Sequence, residues 1–240
     1  MEMSQYHYLP LAPSFFAILV VVFFGVLILQ SLRNAYVSLG VSSGTALFLL
    51  FASLVGSVFN IPIAELKPEP VVSDRIVDFF GMQYAVPVVT DWRGTVVAVN
   101  VGGAVIPTLL SFYLLATRHL WLKGAIAIAI VALVLHWLAD PVPGLGIAVP
   151  VFLPVVVTAA VALLLSREEA APLAYIAGGL GTLIGADLTN LDKVSGLGAP
   201  VASIGGAGTF DGIFLTGILA VILANLFPPR RLREPQPWAT

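Results

Sequence analysis

Long apolar segments are the feature that most limits what this chain can fold into. The first of them runs from Phe15 to Leu32 without a charged side chain. A helix that crosses a bilayer needs roughly 20 mainly apolar residues, and this run is too long for the core of a secretory signal peptide. The chain contains seven apolar segments that we expect to be helices, at residues 14–32, 44–59, 95–117, 122–139, 149–165, 172–187 and 212–227.

The composition agrees with a membrane location. Hydrophobic residues make up 59% of the 240 residues and charged residues 10%, whereas soluble domains have about 25% charged residues. We therefore predict an all-α integral membrane protein with one membrane domain over residues 1–240 and the lipid bilayer as its surroundings. The net charge of −2 and the absence of a basic stripe give no indication of nucleic acid as a partner. The oligomeric state stays open.

The basic residues predict how the chain is oriented in the membrane, because positive charge favours the cytoplasmic side. With the N-terminus outside, seven of the 11 basic residues fall on the inner side and four on the outer side. The C-terminus is then inside, with residues 229–240 as a cytoplasmic tail. In this orientation His136, Asp140, Asp187 and Asp211 all lie toward the outer face.

Two outer connections are longer than simple turns. Residues 60–93 contain four prolines, and the stretch around Gly81 has β-branched and aromatic flanks that predict a short extracellular hairpin. This loop is either a lid or simply a solvated connection. Residues 188–209 have almost no large side chains. We expect them to be partly re-entrant, with a course along the membrane surface as the alternative.

Two short motifs occur twice in the chain. Residues 53–57 read Ser-Leu-Val-Gly-Ser and are echoed by Thr-Leu-Ile-Gly-Ala at 182–186. Residues 100–104 read Asn-Val-Gly-Gly-Ala and are echoed by Ser-Ile-Gly-Gly-Ala at 203–207. The echoes predict two parallel repeats, 14–117 and 149–228, joined by a linker helix at 122–139, although chance matches between helices rich in small residues are the alternative. The layout is similar to that of the SWEET sugar transporters, but the PQ dipeptide of the related PQ-loop proteins is absent.

Asp187 and Asp211 are the leading candidates for chemistry. A carboxylate close to the bilayer interior is costly and normally serves a function. The two aspartates end one predicted helix and begin the next, so an antiparallel pair would bring them together. Two close carboxylates share a proton, which suits catalysis by an aspartyl hydrolase or proton-coupled transport. The alternative for Asp211 is a helix cap.

The remaining candidates are weaker. His136 and Asp140 have the spacing of four that places side chains on one helix face, and with Asp187 or Asp211 they would hold a metal. Pro141 opposes a helical Asp140, and an interfacial histidine is the alternative.

Asn100, with Gly102 and Gly103, lies where the third segment should break. It would bind a polar ligand there, unless the glycines only permit close packing. Asn190 is a further candidate for solute binding. No organic cofactor is indicated, and a proton or cation would supply any coupling.

Three glycine and aspartate strings carry a family resemblance. Residues 204–212, 185–187 and 100–107 resemble a family of prokaryotic multi-pass membrane proteins known as a domain of unknown function, and the resemblance covers residues 44–227. It implies a membrane fold and no particular activity. The two aspartates are also similar in placement to those of presenilin-like intramembrane proteases. However, Ala186 and Phe210 stand where those proteases have glycine, and the PAL motif is absent.

Three functions follow as hypotheses. The first is a transporter that binds a small polar or ionic solute near Asn100, Asp187 and Asp211. The second is an intramembrane aspartyl hydrolase, in which one aspartate activates water and the other protonates the leaving group. The third is a membrane assembly factor whose outer loops bind a partner.

Overall fold

The described part of the chain forms seven α-helices and several short strands. The computed structural model describes residues 11–66, 76–79, 82–85, 94–142, 146–150, 152–194, 200–206 and 212–227, with only the backbone course for 11–14, 76–79, 82–85 and 146. The helices are α1 (Leu11–Ser38), α2 (Ser43–Gly56), α3 (Ile106–Thr117), α4 (Trp121–Leu138), α5 (Phe152–Leu165), α6 (Ala170–Ile176) and α7 (Gly212–Asn225).

Other helical geometries extend two of these helices. A π-helical turn at Val101–Val105 precedes α3. After α6 the chain continues through π-helical turns at Ala177–Gly181 and Leu183–Asp187 and a 3₁₀ helix at Leu188–Lys193. Together α6 and its extension form one continuous helical segment, Ala170–Lys193, called here the composite helix.

Three helices are long and apolar enough to cross a membrane, namely Phe15–Ser38, Trp121–Leu138 and the composite helix. They differ in burial. In the most apolar stretch of the first helix, 0% of the residues are buried within the protein. In that of the composite helix, 78% of the residues are buried. The composite helix is therefore the centre of the bundle, and Leu173, Ala174 and Ile176 on it have no exposed surface. Four further apolar helices are shorter, with 10 to 17 residues each.

A three-stranded sheet lies beside the helices. Its strands are β1 (Asn60–Leu66), β4 (Thr95–Asn100) and β7 (Val201–Ile204), with β4 in the centre. β1 pairs with β4 in antiparallel orientation, and β7 pairs with β4 in parallel, with Val99 opposite Ile204. The strands that precede the two echoed Gly-Gly pairs are thus neighbours.

The sheet changes one sequence expectation. The apolar segment 95–117 is not one helix, because Thr95–Asn100 is a strand and helical geometry begins only at Val101. The run Thr-Val-Val-Ala-Val is rich in β-branched residues, which fit a half-buried strand. Asn100 then caps the helical turn, since its side chain accepts a hydrogen bond from the N–H of Gly103.

The predicted hairpin is confirmed in its backbone. β2 (Ile76–Phe79) pairs antiparallel with β3 (Met82–Ala85), with Phe79 opposite Met82. A second small hairpin joins α4 to α5 and consists of β5 (Asp140–Val142) and β6 (Gly146–Ala148). The connection 188–209, which we expect to be partly re-entrant, contains the 3₁₀ helix and β7 in its described residues, and its course relative to a membrane stays a prediction.

Glycines permit the closest helix contacts. A Cβ atom added to Gly178 on the composite helix would lie 2.8 Å from the Cα of Gly217 on α7. A Cβ at Gly185 would lie 2.7 Å from the Cα of Ala132 on α4. Small residues let helix backbones approach in this way, and the contacts hold the composite helix between α4 and α7.

Candidate functional site

A cavity of about 230 Å³ borders the end of the composite helix. Its polar lining consists of Thr182 and Asp187 from the composite helix and Thr216 from α7. Its apolar walls come from the chain around β6, the start of α5 and the first turns of α7, with Ile147, Val149, Pro150, Pro154, Ile213 and Leu215. The part of the lining that the structure describes contains no lysine, arginine or histidine.

The π-helical geometry explains why Thr182 and Asp187 line the same cavity. Residues five apart point to different sides of an α-helix, which has about 3.6 residues per turn. In a π-helix the hydrogen bonds join residues five apart, and such turns frequently occur at functional sites. Leu183–Asp187 has this geometry, so the hydroxyl and the carboxylate lie on one side of the helix.

Asp187 is partly buried and receives a backbone hydrogen bond. Its Oδ2 accepts from the N–H of Gly205 at 2.7 Å. Gly205 has a φ of +92°, and a Cβ there would lie 2.6 Å from the backbone N of Ala104. Only glycine therefore fits this position without strain. Among the residues that the structure describes, the one ion pair joins Arg118 to Glu169, so none of them neutralises Asp187.

Thr182 contributes a buried hydroxyl without a partner. The residue is 3% exposed, and its Oγ1 has no hydrogen-bond partner among the residues whose placement is described. Thr216 is also 3% exposed. The sequence analysis did not select either threonine. The only signal was the position of Thr182 at the start of the echoed motif 182–186, where a hydroxyl stands among apolar and small residues.

The predicted pairing of Asp187 with Asp211 lies outside the described residues, because Asp211 is not among them. The next residue, Gly212, begins α7 and lines the cavity. Gly212, the residue after Asp211, therefore borders the same cavity as Asp187.

Asn100 does not line the Asp187 cavity and is part of a separate hydrogen-bond network. It is 1% exposed, and its Oδ1 accepts from the N–H of Gly103 at 2.8 Å. Its Nδ2 donates to the carbonyl oxygen of Ser57 at 2.7 Å and to Asn60 Oδ1 at 3.1 Å. Both N–H groups of the amide are thus engaged. Ser203 Oγ donates to the same Asn60 oxygen at 2.7 Å.

The glycines that follow Asn100 are in close backbone contact with α2. A Cβ at Gly102 would overlap the carbonyl oxygen of Ser53 and the backbone N of Ser57. Gly103 is buried and gives its N–H to Asn100. Neither Asn100 nor these glycines line the Asp187 cavity.

Asn190 also makes local contacts. It has no exposed surface, and its Nδ2 donates to the carbonyl oxygens of Gly185 at 3.1 Å and Ala186 at 2.9 Å. Its Oδ1 accepts from Lys193 Nζ at 2.6 Å. These bonds tie the Asn190 side chain to the preceding turn of the composite helix.

His136 and Asp140 do not share a helix face. α4 ends at Leu138, and Ala139 is extended with ψ of 113°, so Asp140 begins strand β5. Pro141 accounts for this ending, since the residue before proline avoids the α conformation. His136 Nδ1 instead lies 2.8 Å from Thr189 Oγ1. Within the described ranges, no three His, Asp or Glu side chains form a group that could hold a metal.

The hydrogen bonds assign the tautomer of His136. The single hydroxyl hydrogen of Thr189 is donated to the carbonyl oxygen of Gly185 at 2.8 Å. Thr189 Oγ1 must therefore accept from His136, which carries its hydrogen on Nδ1 and leaves Nε2 as an acceptor.

Comparison with protein families identifies where the chain belongs. The family described as Protein of unknown function (DUF1614) matches residues 54–223, more than half of the chain. The chain belongs to this family. The DUF1614 region contains every residue that lines the Asp187 cavity and excludes α1. No curated protein and no solved structure matches this DUF1614 chain.

Proposed function

We propose that this DUF1614 protein is a membrane transporter for a small polar or ionic solute that binds in the Asp187 cavity. The observation that carries the proposal is a carboxylate without a described cationic partner, which lines a cavity beside the composite helix, a helix long and apolar enough to cross a membrane. Ionisable groups in such surroundings generally mark solute or ion pathways. A proton or cation bound at Asp187 would supply the coupling.

The two predicted repeats offer a mechanism for alternating access. In parallel-repeat transporters the solute site lies between the halves, and one half moves against the other. Here the described lining of the cavity comes from the second predicted repeat and the hairpin before it, so the first repeat would act on the site through the pairing of β4 with β7. Asp187 is bonded to Gly205 directly after β7, so movement of this sheet would change the surroundings of the carboxylate.

A flux assay tests the transport proposal. Purified full-length protein is reconstituted in liposomes, and uptake is measured for a panel of alkylammonium chlorides, amino acids and sodium salts with a trapped pH-sensitive dye. We expect flux of at least one solute, reduced about tenfold or more in Asp187→Asn, because a hydrogen bond to a charged group contributes about 1.5–3 kcal/mol. The exposed Asp192→Asn is the matched control and should retain the flux. Equal flux in folded Asp187→Asn would refute the proposal.

The orientation can be tested with single cysteines, because the natural chain has none. We expect a membrane-impermeant maleimide to label Asp192→Cys from outside intact cells. Arg167→Cys should react only after the membrane is opened. Both positions are exposed in the structure, so accessibility of the side chain does not limit either reaction. The reverse pattern would place the N-terminus inside.

Gly212 at the cavity also favours a second function, the intramembrane hydrolase. Asp211 is adjacent in sequence to Gly212, so a carboxylate pair at this cavity would share a proton, as aspartyl hydrolysis requires. This function predicts cleavage of a membrane peptide in detergent without any gradient, lost in both Asp187→Asn and Asp211→Asn. Gradient-dependent flux with no cleavage would favour transport.

A further inference from the structure

We propose that the Asp187 cavity takes a small organic ammonium ion, a cation with an N–H-bearing head and a short hydrocarbon body. This inference names the class of solute that the proposed transporter would carry. It rests on the proposed function only in saying that the ion is transported. Binding itself is a property of the cavity.

The charges around the cavity favour a cation. Among the lining residues that the structure describes, Asp187 is the one acidic side chain, and no basic side chain accompanies it. Its Oδ2 is occupied by the N–H of Gly205, and its Oδ1 receives no hydrogen bond from any residue that the structure describes. The first turn of α7 borders the cavity at Gly212, and a helix N-terminus attracts anions. An anion would nevertheless meet the Asp187 carboxylate, with no lysine or arginine among the described lining residues to balance it.

The oxygen atoms match an ammonium head. A primary ammonium has three N–H donors and no acceptor. Three described side chains that line the cavity carry oxygen atoms, namely Thr182, Asp187 and Thr216. Thr182 Oγ1 is buried and has no partner, which is unusual for a buried polar atom. An ammonium ion would supply the missing donor.

The walls and the size favour an organic ion over a metal ion. The hard cations Ca²⁺ and Mg²⁺ require about six oxygen ligands, whereas most of the lining here is aliphatic or proline. A volume of about 230 Å³ equals about seven or eight waters at about 30 Å³ each. The cavity therefore has room for a head group and a short alkyl chain.

Calorimetric titration of the full-length protein in detergent micelles tests the inference without any gradient. The probes are propylammonium, its neutral analogue propanol, its anionic analogue propionate, the zwitterion β-alanine and sodium chloride. We expect propylammonium to bind most tightly, and affinity to rise about fourfold per added methylene up to the size of the cavity. Tighter binding of propionate, β-alanine, propanol or sodium would overturn the inference.

Matched variants distinguish the loss of contacts in the cavity from general effects of a substitution on the protein. Asp187→Asn should weaken propylammonium binding about tenfold or more, and Thr182→Val about three- to tenfold. Thr158→Val is the control for Thr182→Val. Thr158 is also buried, and its Oγ1 also has no described hydrogen-bond partner, but the residue does not line the cavity. Asp192→Asn is the control for charge. Equal losses in Thr182→Val and Thr158→Val would refute the site.

The outcome also distinguishes this inference from the transport proposal. Ammonium binding in micelles without flux in liposomes would refute transport and leave the ligand class intact. Flux of an anion or neutral solute that depends on Asp187 would support transport and refute the ligand class.

Discussion

The contact between Gly178 and Gly217 permits a quantitative prediction about packing. A Cβ at Gly178 would lie 2.8 Å from Gly217 Cα and 3.0 Å from its N, whereas ordinary contact begins at 3.4 Å. The composite helix and α7 must therefore separate by 3.4 − 2.8 = 0.6 Å in Gly178→Ala. Because the obstructing atoms are backbone, no side chain can rotate away.

The expected cost follows from two opposing terms. Overpacking typically costs about 1–3 kcal/mol. Alanine is better than glycine in a helix by about 1 kcal/mol, which offsets part of the cost. We expect Gly178→Ala to lower the free energy of unfolding by about 1–2 kcal/mol. The contact lies one turn from Thr182 and beside Thr216, so the separation should also weaken ligand binding in the cavity.

Gly25 provides the matched control. It lies within α1, and a Cβ there would meet nothing within 4 Å. Gly25→Ala should therefore leave the free energy of unfolding unchanged or raise it by up to about 1 kcal/mol. The assay is reversible denaturation in mixed micelles titrated with sodium dodecyl sulfate, followed by circular dichroism. The packing argument fails if Gly178→Ala is as stable as the natural protein or if both variants are destabilised equally.

Two further predictions concern the hydrogen-bond networks. Asn100→Ala removes the cap on the N–H of Gly103 and leaves the carbonyl of Ser57 without its donor, so the same denaturation assay should show a loss of about 2 kcal/mol. His136 should show the Nδ1–H tautomer in its ¹⁵N spectrum, and Thr189→Val should abolish this preference, with a loss of stability below about 1 kcal/mol because the site is partly exposed.

The Asn100 prediction has a matched control, and each of the two predictions has an outcome that would contradict it. Asn34 is an exposed asparagine on α1, and Asn34→Ala should change stability by less than about 0.5 kcal/mol. If Asn100→Ala were equally mild, the cap would contribute nothing. An Nε2–H tautomer of His136 in the natural protein would contradict the assigned direction of its hydrogen bond to Thr189.

The helical character of the chain and its family could be predicted from the sequence because both depend on local patterns. Apolar runs indicate helices, and all seven predicted segments are helical over most of their length, although the third begins with the strand Thr95–Asn100. The hairpin around Gly81 was predicted from its flanks in the same way. Asp187 was selected because a carboxylate beside an apolar run is costly, an argument that needs no knowledge of its neighbours.

Tertiary contacts decided the rest. Thr95–Asn100 is as apolar as a helix, yet it is a strand because β1 and β7 pair with it on both sides. Asn100 was a candidate for solute binding, but its hydrogen-bond partner Asn60 is 40 residues away in the sequence. Thr182 reaches the cavity of Asp187 only through the π-helical turn, between the contacts of Gly178 with α7 and Gly185 with α4.

Hydrophobicity and propensity are properties of single residues and short windows, so the sequence by itself determined which segments are apolar helices. The π-helical geometry at Leu183–Asp187 and the hydrogen-bond partners of the Asn100 amide depend on backbone segments from distant parts of the chain. Only the tertiary structure therefore decided which polar groups are already satisfied, as in Asn100, and which have no hydrogen-bond partner among the described residues, as in Thr182.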